Sequence, residues 1–275
     1  MGQRILVTGG AGKVAASLRS RLVREGRTLR LLDVVRPAAV DGSGDEEVVL
    51  ASLTDPDAVF AACDGVDAIV HLGGQSKEAD AGDVLNANAF GTYNLLEAAR
   101  KRGIDRLMLA SSSHAAGFHV RDDATYPDGL PADLPPRPDT LYGWSKAAVE
   151  SLAGLYADRF GLDIVCVRIG LWFPTPPQNR GLATWLSPDD GARLVEACLS
   201  APSPGFRIIW GVSRNTRRWW SLAEGEAIGY FPKDDAEVFA AERTAEFGEP
   251  DFQNDPELNR VGGWWCDWPL AQRMG

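Results

Sequence analysis

Histidine and cysteine are scarce in this 275-residue chain, at three and four residues. The cysteines, Cys63, Cys166, Cys198 and Cys266, lie far apart, with no Cys-x-x-Cys and no histidine at ligand spacing. Neither a metal site nor a disulfide framework is expected, and the thiols read as reduced and mostly buried. Long apolar runs are missing too: none approaches the roughly 18 residues that a membrane span requires. The apolar stretch Ile5-Leu6-Val7 near the N-terminus is too short for the core of a secretory signal, so the expectation is a cytoplasmic protein with no membrane association. Basic charge is in deficit, with 28 Lys and Arg against 38 Asp and Glu, a formal net charge of −10. No nucleic-acid partner is expected, because phosphate backbones call for a basic face. What the chain does have is apolar content, 45% of its residues, enough for a packed core and too much for disorder.

That apolar content is periodic. Short buried runs at 5–7, 29–33, 48–51, 68–72, 106–110 and 164–167 read as strands. Helical spacing follows the first run through Val14, Leu18 and Leu22 up to Gly26, and predicts helices around 58–62, 84–101 and 142–160. Repeated strand–helix units need parallel strands and right-handed crossovers, so the predicted fold class is α/β: a doubly wound parallel sheet, Rossmann-like, with a small C-terminal lobe. Residues 1–170 form the sheet domain in this reading and 171–275 the lobe. A helix over 188–199 and a strand over 207–210 return to the main domain. Seven of the nine tryptophans lie after residue 180, which gives the lobe its character.

The first strand runs into Thr8-Gly9-Gly10-Ala11-Gly12-Lys13-Val14-Ala15, with a helix directly after. Glycines in that place permit a tight turn and bring backbone N–H groups close to a pyrophosphate. Asp33 ends the next strand, where a carboxylate accepts ribose hydroxyls and repels a 2′-phosphate, which favours NAD over NADP. Tyr142 and Lys146, four apart in Tyr142-Gly143-Trp144-Ser145-Lys146, share a helix face. The ammonium is expected to lower the phenol pKa and make Tyr142 a proton acceptor. Ser111-Ser112-Ser113 stands about 30 residues upstream. His71, inside an apolar run, reads as structural.

With those residues in place the chain resembles the extended short-chain dehydrogenase/reductase superfamily, and within it is similar to NAD-dependent uronate dehydrogenases. The likeness rests on strings in the same order: His71-Leu72-Gly73-Gly74-Gln75-Ser76, Ser111-Ser112-Ser113-His114, Leu141-Tyr142-Gly143-Trp144-Ser145-Lys146, Val167-Arg168-Ile169-Gly170 and Thr184-Trp185-Leu186-Ser187-Pro188-Asp189-Asp190. Trp210-Gly211, Trp219-Trp220 and Gly229-Tyr230-Phe231-Pro232-Lys233-Asp234-Asp235-Ala236 complete it. The resemblance implies oxidation of the C1 hydroxyl of a pyranose hexuronate to a lactone, with hydride passing to NAD. It implies Ser112, Tyr142 and Lys146 as catalytic residues. NAD would be held by Gly9, Gly12, Lys13, Val14, Asp33, Ser52, Leu53, Leu72, Gly73, Gly74 and Asn88 together with Tyr142 and Lys146. The sugar would meet Ser76, Ser112, Ser113, His114, Tyr142, Leu171 and Arg180. Pairing through the long helices, common in the superfamily, implies a homo-oligomer.

Several positions depart from the family pattern. Ala15 replaces the third glycine of the turn, and Ser52-Leu53 stands where the superfamily often has Asp-Leu beside the adenine. Ser113 replaces an asparagine. Leu171 replaces a serine next to the sugar carboxylate, which leaves the C6 group open between carboxylate, phosphate, sulfonate and none. Arg180 still matches and can bind such an anion through paired N–H donors. Arg214, Arg217 and Arg218 read either as a solvated run, the favoured reading, or as an enlarged anion pocket. An enzyme acting on another sugar or sugar nucleotide, such as an epimerase, is the first alternative. A non-catalytic NAD-binding regulator is the second.

Overall fold

A computed structural model describes residues 2–274, so Met1 and Gly275, the outer limits of the two expected domains, lie outside the described residues. Seven strands form one sheet. In chain order they begin with β1 (Gln3–Thr8), β2 (Arg27–Asp33), β3 (Asp45–Leu50), β4 (Ala68–His71), β5 (Arg106–Ser112) and β6 (Asp163–Ile169). A separate short pair, β7 (Leu171–Trp172) and β8 (Trp185–Leu186), precedes β9 (Phe206–Gly211), which rejoins the main sheet beside β6. The order is β3-β2-β1-β4-β5-β6-β9, with every neighbouring pair parallel. Chain order reverses between β1 and β4, and a doubly wound sheet opens its crevice at that switch, beyond the C-terminal strand ends.

Alternation along β1 assigns the two faces. Ile5 and Val7 pack with Ala15 and Leu18 of α1 (Lys13–Arg19), whereas Leu6 faces the opposite side with Val59 of α2 (Pro56–Ala62). After α3 (Ala81–Val84), the long helices α4 (Gly91–Arg102) and α5 (Leu141–Phe160) cover that second face through Leu95, Leu96, Val149 and Ala153. The short α6 (Gly181–Thr184) leads to α7 (Pro188–Ser200), which joins α1 on the first face.

Two expectations need correction. Helix α1 stops at Arg19, well before Gly26, although Leu22 is still fully buried. The helix predicted over 84–101 is present but not α-helical throughout: Leu85–Phe90 forms a π-helical turn between α3 and α4. That wider turn contains Asn88, whose amide is committed to tertiary contacts, and single π turns inside helices are frequent at functional sites.

The tryptophans of the C-terminal half mostly build a core. Trp185, Trp210, Trp219 and Trp220 pack with Leu130, Leu182 and Val212, and Trp210 stacks on Trp220 at 4.4 Å. Arg168 secures the chain around residue 133 to the sheet. Fully buried, it makes a two-pronged pair with Glu150 at 2.8 Å and donates to the carbonyls of Ala132 and Leu134. No helix among the described residues is long and apolar enough to cross a membrane.

Candidate functional site

The glycine turn sits at the β1–β4 switch. Gly9 has φ +70°, and a Cβ there would lie 2.8 Å from Gly73 N, so only glycine lets this turn approach the end of β4. Gly12 precedes α1 with no side chain capping the helix, and the first-turn amides remain open to an anion. At the end of β2, Asp33 accepts from Ala11 N at 3.0 Å, which orients its carboxylate over the turn. Leu53 packs on Gly73 and receives a bond from Asn94 at its carbonyl, while Ser52 bonds Thr54. Lys13 and Val14 open α1, and Ala15 is buried beneath them.

Behind the turn a closed chain of hydrogen bonds fixes His71. Thr92 Oγ1 donates to Asn88 O at 2.6 Å, so it accepts from His71 Nε2 at 2.9 Å. Nδ1 is then the acceptor, and takes the Thr8 hydroxyl at 2.6 Å, while Gly73 N donates to the same Thr8 oxygen. Burial, aided by Lys146, pulls the His71 pKa down to about 3, so the ring stays neutral. The structural reading of this residue fits. Asn88, buried in its π turn, accepts from Gln75 N at 2.7 Å and donates to Gln75 O and Ser145 Oγ, which ties Leu72–Gln75 to α5.

Tyr142 and Lys146 lie in the first two turns of α5, behind the Thr140 cap. Burial pushes the Tyr142 phenol up to about 12, opposed by the neighbouring Ser112 hydroxyl. Burial likewise pulls Lys146 down to about 8. The expected lowering of the phenol by Lys146 is therefore absent from the free protein. The ammonium points to Ala110 O, at 2.8 Å, and lies 5.8 Å from the Tyr142 ring centre, so desolvation dominates.

Next to Tyr142 a cavity of about 90 Å³ is lined by Ser112, Ser113, His114, Leu171 and Arg180, five of the seven predicted sugar residues. Ser76 is exposed on the loop after β4 and does not line it. The wall also includes residues that the sequence did not single out as sugar contacts, among them Pro177, Gln178, Gly262, Trp264 and Trp265. Trp265 stacks on the His114 ring at 3.9 Å and tilts against Tyr142 at 5.8 Å. Arg180 is buried, with no carboxylate partner among the described residues, and its pKa is pulled down to about 10 by burial. It donates to the carbonyls of Glu257, Arg260 and Val261, so part of its fork holds the C-terminal segment.

The arginine run is not part of this site. Arg214 pairs with Glu226, Arg217 pairs with Glu237, Arg218 donates to Asn215 O, and none lines the cavity. Arg214 and Arg217 are charge-matched and none of the three reaches the cavity, which removes the enlarged anion pocket. A broader recess of about 510 Å³ between α1 and α7 offers no free cation among the described residues, because its arginines are paired with Asp189, Asp190 and Glu196.

Residues 5–187 match the NAD dependent epimerase/dehydratase family. The chain belongs to that family. It is 41% identical to the uronate dehydrogenase of Agrobacterium fabrum over 271 residues, 98% of this chain and 99% of the relative. It is 36% identical to the NAD-dependent glucose-6-phosphate dehydrogenase of Haloferax volcanii, over 91% of this chain and 98% of that one. A variant uronate dehydrogenase from Agrobacterium tumefaciens, solved in complex with NAD, superposes with a TM-score of 0.88 at 39% identity over 100% of both chains. The chain is thus an NAD-dependent oxidoreductase acting on CH–OH groups. Its glycine cradle, the uncapped start of α1 and the Asp33 carboxylate fit that cofactor.

Proposed function

We propose that this family member oxidises the C1 hydroxyl of a pyranose hexuronate to the lactone. Arg180 carries the reading: a buried guanidinium without a carboxylate partner lines the same cavity as Ser112 and His114. A desolvated cation with spare donors favours an anionic group on the substrate. NAD held at the glycine turn supplies the hydride acceptor. Tyr142 takes the hydroxyl proton, Ser112 orients that hydroxyl, and Lys146 holds positive charge beside them. Because the free phenol sits near 12, Tyr142 acts as a base only once binding brings further positive charge to the crevice. Ser113 and His114 bind the ring hydroxyls, whereas Ser76, outside the cavity, has no such role in this reading. Asp33, Ser52 and Leu53 receive the adenosine end, with Gly9, Gly12, Lys13, Val14, Leu72, Gly73, Gly74 and Asn88 around the phosphates and nicotinamide side.

One observation favours a second reading of C6. Leu171 lines the cavity and offers no hydrogen bond, so a phosphate or sulfonate held by Arg180 alone is the alternative to a carboxylate. NADH formation separates them across D-glucuronate, D-galacturonate, D-glucose, glucose 6-phosphate and 6-sulfo-glucose. Arg180→Ala is expected to reduce kcat/KM for the anionic substrate about tenfold more than for D-glucose. Equal losses would leave Arg180 as a clasp for the C-terminal segment only. NADH formation from none of these sugars would sink the reading.

The same reading includes a second copy of the chain. Phe90 at the end of the π turn, Tyr93 in the first turn of α4, and Trp144 and Leu155 on the adjacent α5 are exposed, Phe90 by 60% and Leu155 by 56%. Two-fold pairing would cover this face. Light scattering is expected to give at least a dimer, and a monomer at assay concentration would refute it. A cytoplasmic setting suits four cysteines that are all free.

A further inference from the structure

The histidine that lines the sugar cavity is not free to choose its tautomer. His114 Nδ1 lies 2.7 Å from Asp139 Oδ2. Asp139 is buried, and its other oxygen, Oδ1, accepts the Thr140 hydroxyl at 2.9 Å. The Thr140 oxygen in turn accepts from Gly143 N at 3.0 Å, so its only proton goes to Asp139. A carboxylate accepts and does not donate, so the proton on the His114–Asp139 bond belongs to Nδ1. Nε2 of the neutral ring is then a lone pair. It takes no bond within the described chain, and the residue lines the cavity. Stacking on Trp265 holds the ring plane, which leaves tautomer as the remaining variable.

The packing around the carboxylate is specific to it. A Cβ on Gly117 or Gly262 would collide with Asp139 Oδ2, so two chain segments give up side chains to admit this group. Gly262 also belongs to the cavity wall. Asp139 thus sits where the wall, the His114 turn and the start of α5 meet.

We propose that Asp139 is a positioning residue that fixes His114 as a hydrogen-bond acceptor, so that this wall selects sugars presenting a hydroxyl donor to it. The inference rests on the cavity being the sugar site and adds the polarity of one of its contacts. Asp139 does not touch substrate and acts through the ring alone.

The chain's three histidines make the test direct. Nitrogen-15 labelling of histidine in the NAD-bound protein, at a pH where the rings are neutral, reports each tautomer. The His114 signal is assigned by its loss in His114→Gln. The expected result is Nδ1–H for His114 and Nε2–H for His71, with His114 turning to Nε2–H or a mixture in Asp139→Ala. In that variant the KM for D-glucuronate is expected to rise about tenfold, with the KM for NAD unchanged. Nε2–H at His114 in the unaltered protein overturns the proposal, as does equal loss for sugar and NAD in Asp139→Ala. If that variant does not fold, the tautomer of the unaltered protein decides alone. The spectrum needs no sugar, so its failure is distinct from a failure of every sugar to yield NADH.

Discussion

The floor and the roof of the crevice are fixed in different ways. The floor consists of the ends of β1, β4 and β5, where parallel ladders set the backbone and close glycine contacts set the turn. The roof, residues 257–274, joins no ladder of the sheet among the described residues; its first part runs beside residues 117–121, with Arg121 N, Val261 N and Gly262 N donating to the carbonyls of Asn259, His119 and Gly117 around a bridge between Val120 and Arg260. Buried charges hold its two ends through their backbone as well. Arg180 takes carbonyls at its beginning, and Glu78 takes the Ala271 amide at 2.9 Å near its end. A ladder distributes its hold over many equivalent bonds, whereas each buried charge is a single point of failure. Chemistry is accordingly anchored on the floor, and selection of the substrate falls to the wall and roof.

The largest effect expected from this division is on the floor. Tyr142→Phe removes one oxygen from a side chain packed in a rigid helix and leaves the ring against Trp265 in place. Turnover is expected to fall by roughly 10²–10⁴. The affinity for NAD and the melting temperature should stay within error, as shown by titration and by thermal unfolding. Near-normal turnover would remove Tyr142 as the base, and a parallel loss of NAD affinity would blur the division between floor and roof.

The same division decides what can be read from sequence. Strands β1 to β6 and β9 are legible because each is a local apolar run, and Asp33, Tyr142 and Lys146 because strand ends and helix faces place them by short-range spacing. Asp139 and Glu78 carry no such signal. Asp139 meets a ring 25 residues away, and Glu78 binds an amide 193 residues away. Trp264 and Trp265 look like other tryptophans of the C-terminal half, and only packing separates these wall residues from the core formed by Trp210, Trp219 and Trp220. Electrostatics misled for a related reason. Spacing places Lys146 near Tyr142, but burial, invisible in spacing, outweighs the ammonium and raises the phenol. In the arginine run, the glutamates that neutralise Arg214 and Arg217 come from residues 226 and 237, beyond the reach of a local reading.

Glu78 gives the smaller and more discriminating test, because it touches both regions at once. Its fully buried carboxylate accepts Tyr142 N at 2.8 Å through Oε2 and Ala271 N through Oε1. Its own carbonyl accepts Met274 N, and Arg273 pairs with Asp83 beside it. Negative charge at this place also complements the N-terminal end of the 20-residue α5. In Glu78→Gln one acceptor becomes an amide NH₂ that must face an N–H donor, so one of the two bonds is lost with little change in volume. A cost of about 1–3 kcal/mol is expected. How that cost divides is the informative part. The helix start keeps its Thr140 cap and a further 18 residues of α5, whereas the roof beyond Asp267 has little other backbone support. Hydrogen exchange should therefore rise across 264–274 far more than across 141–146, with turnover falling less than in Tyr142→Phe. Equal exchange in both segments would mean that Glu78 serves the helix and the roof alike, and that the end of the roof does not depend on this buried charge.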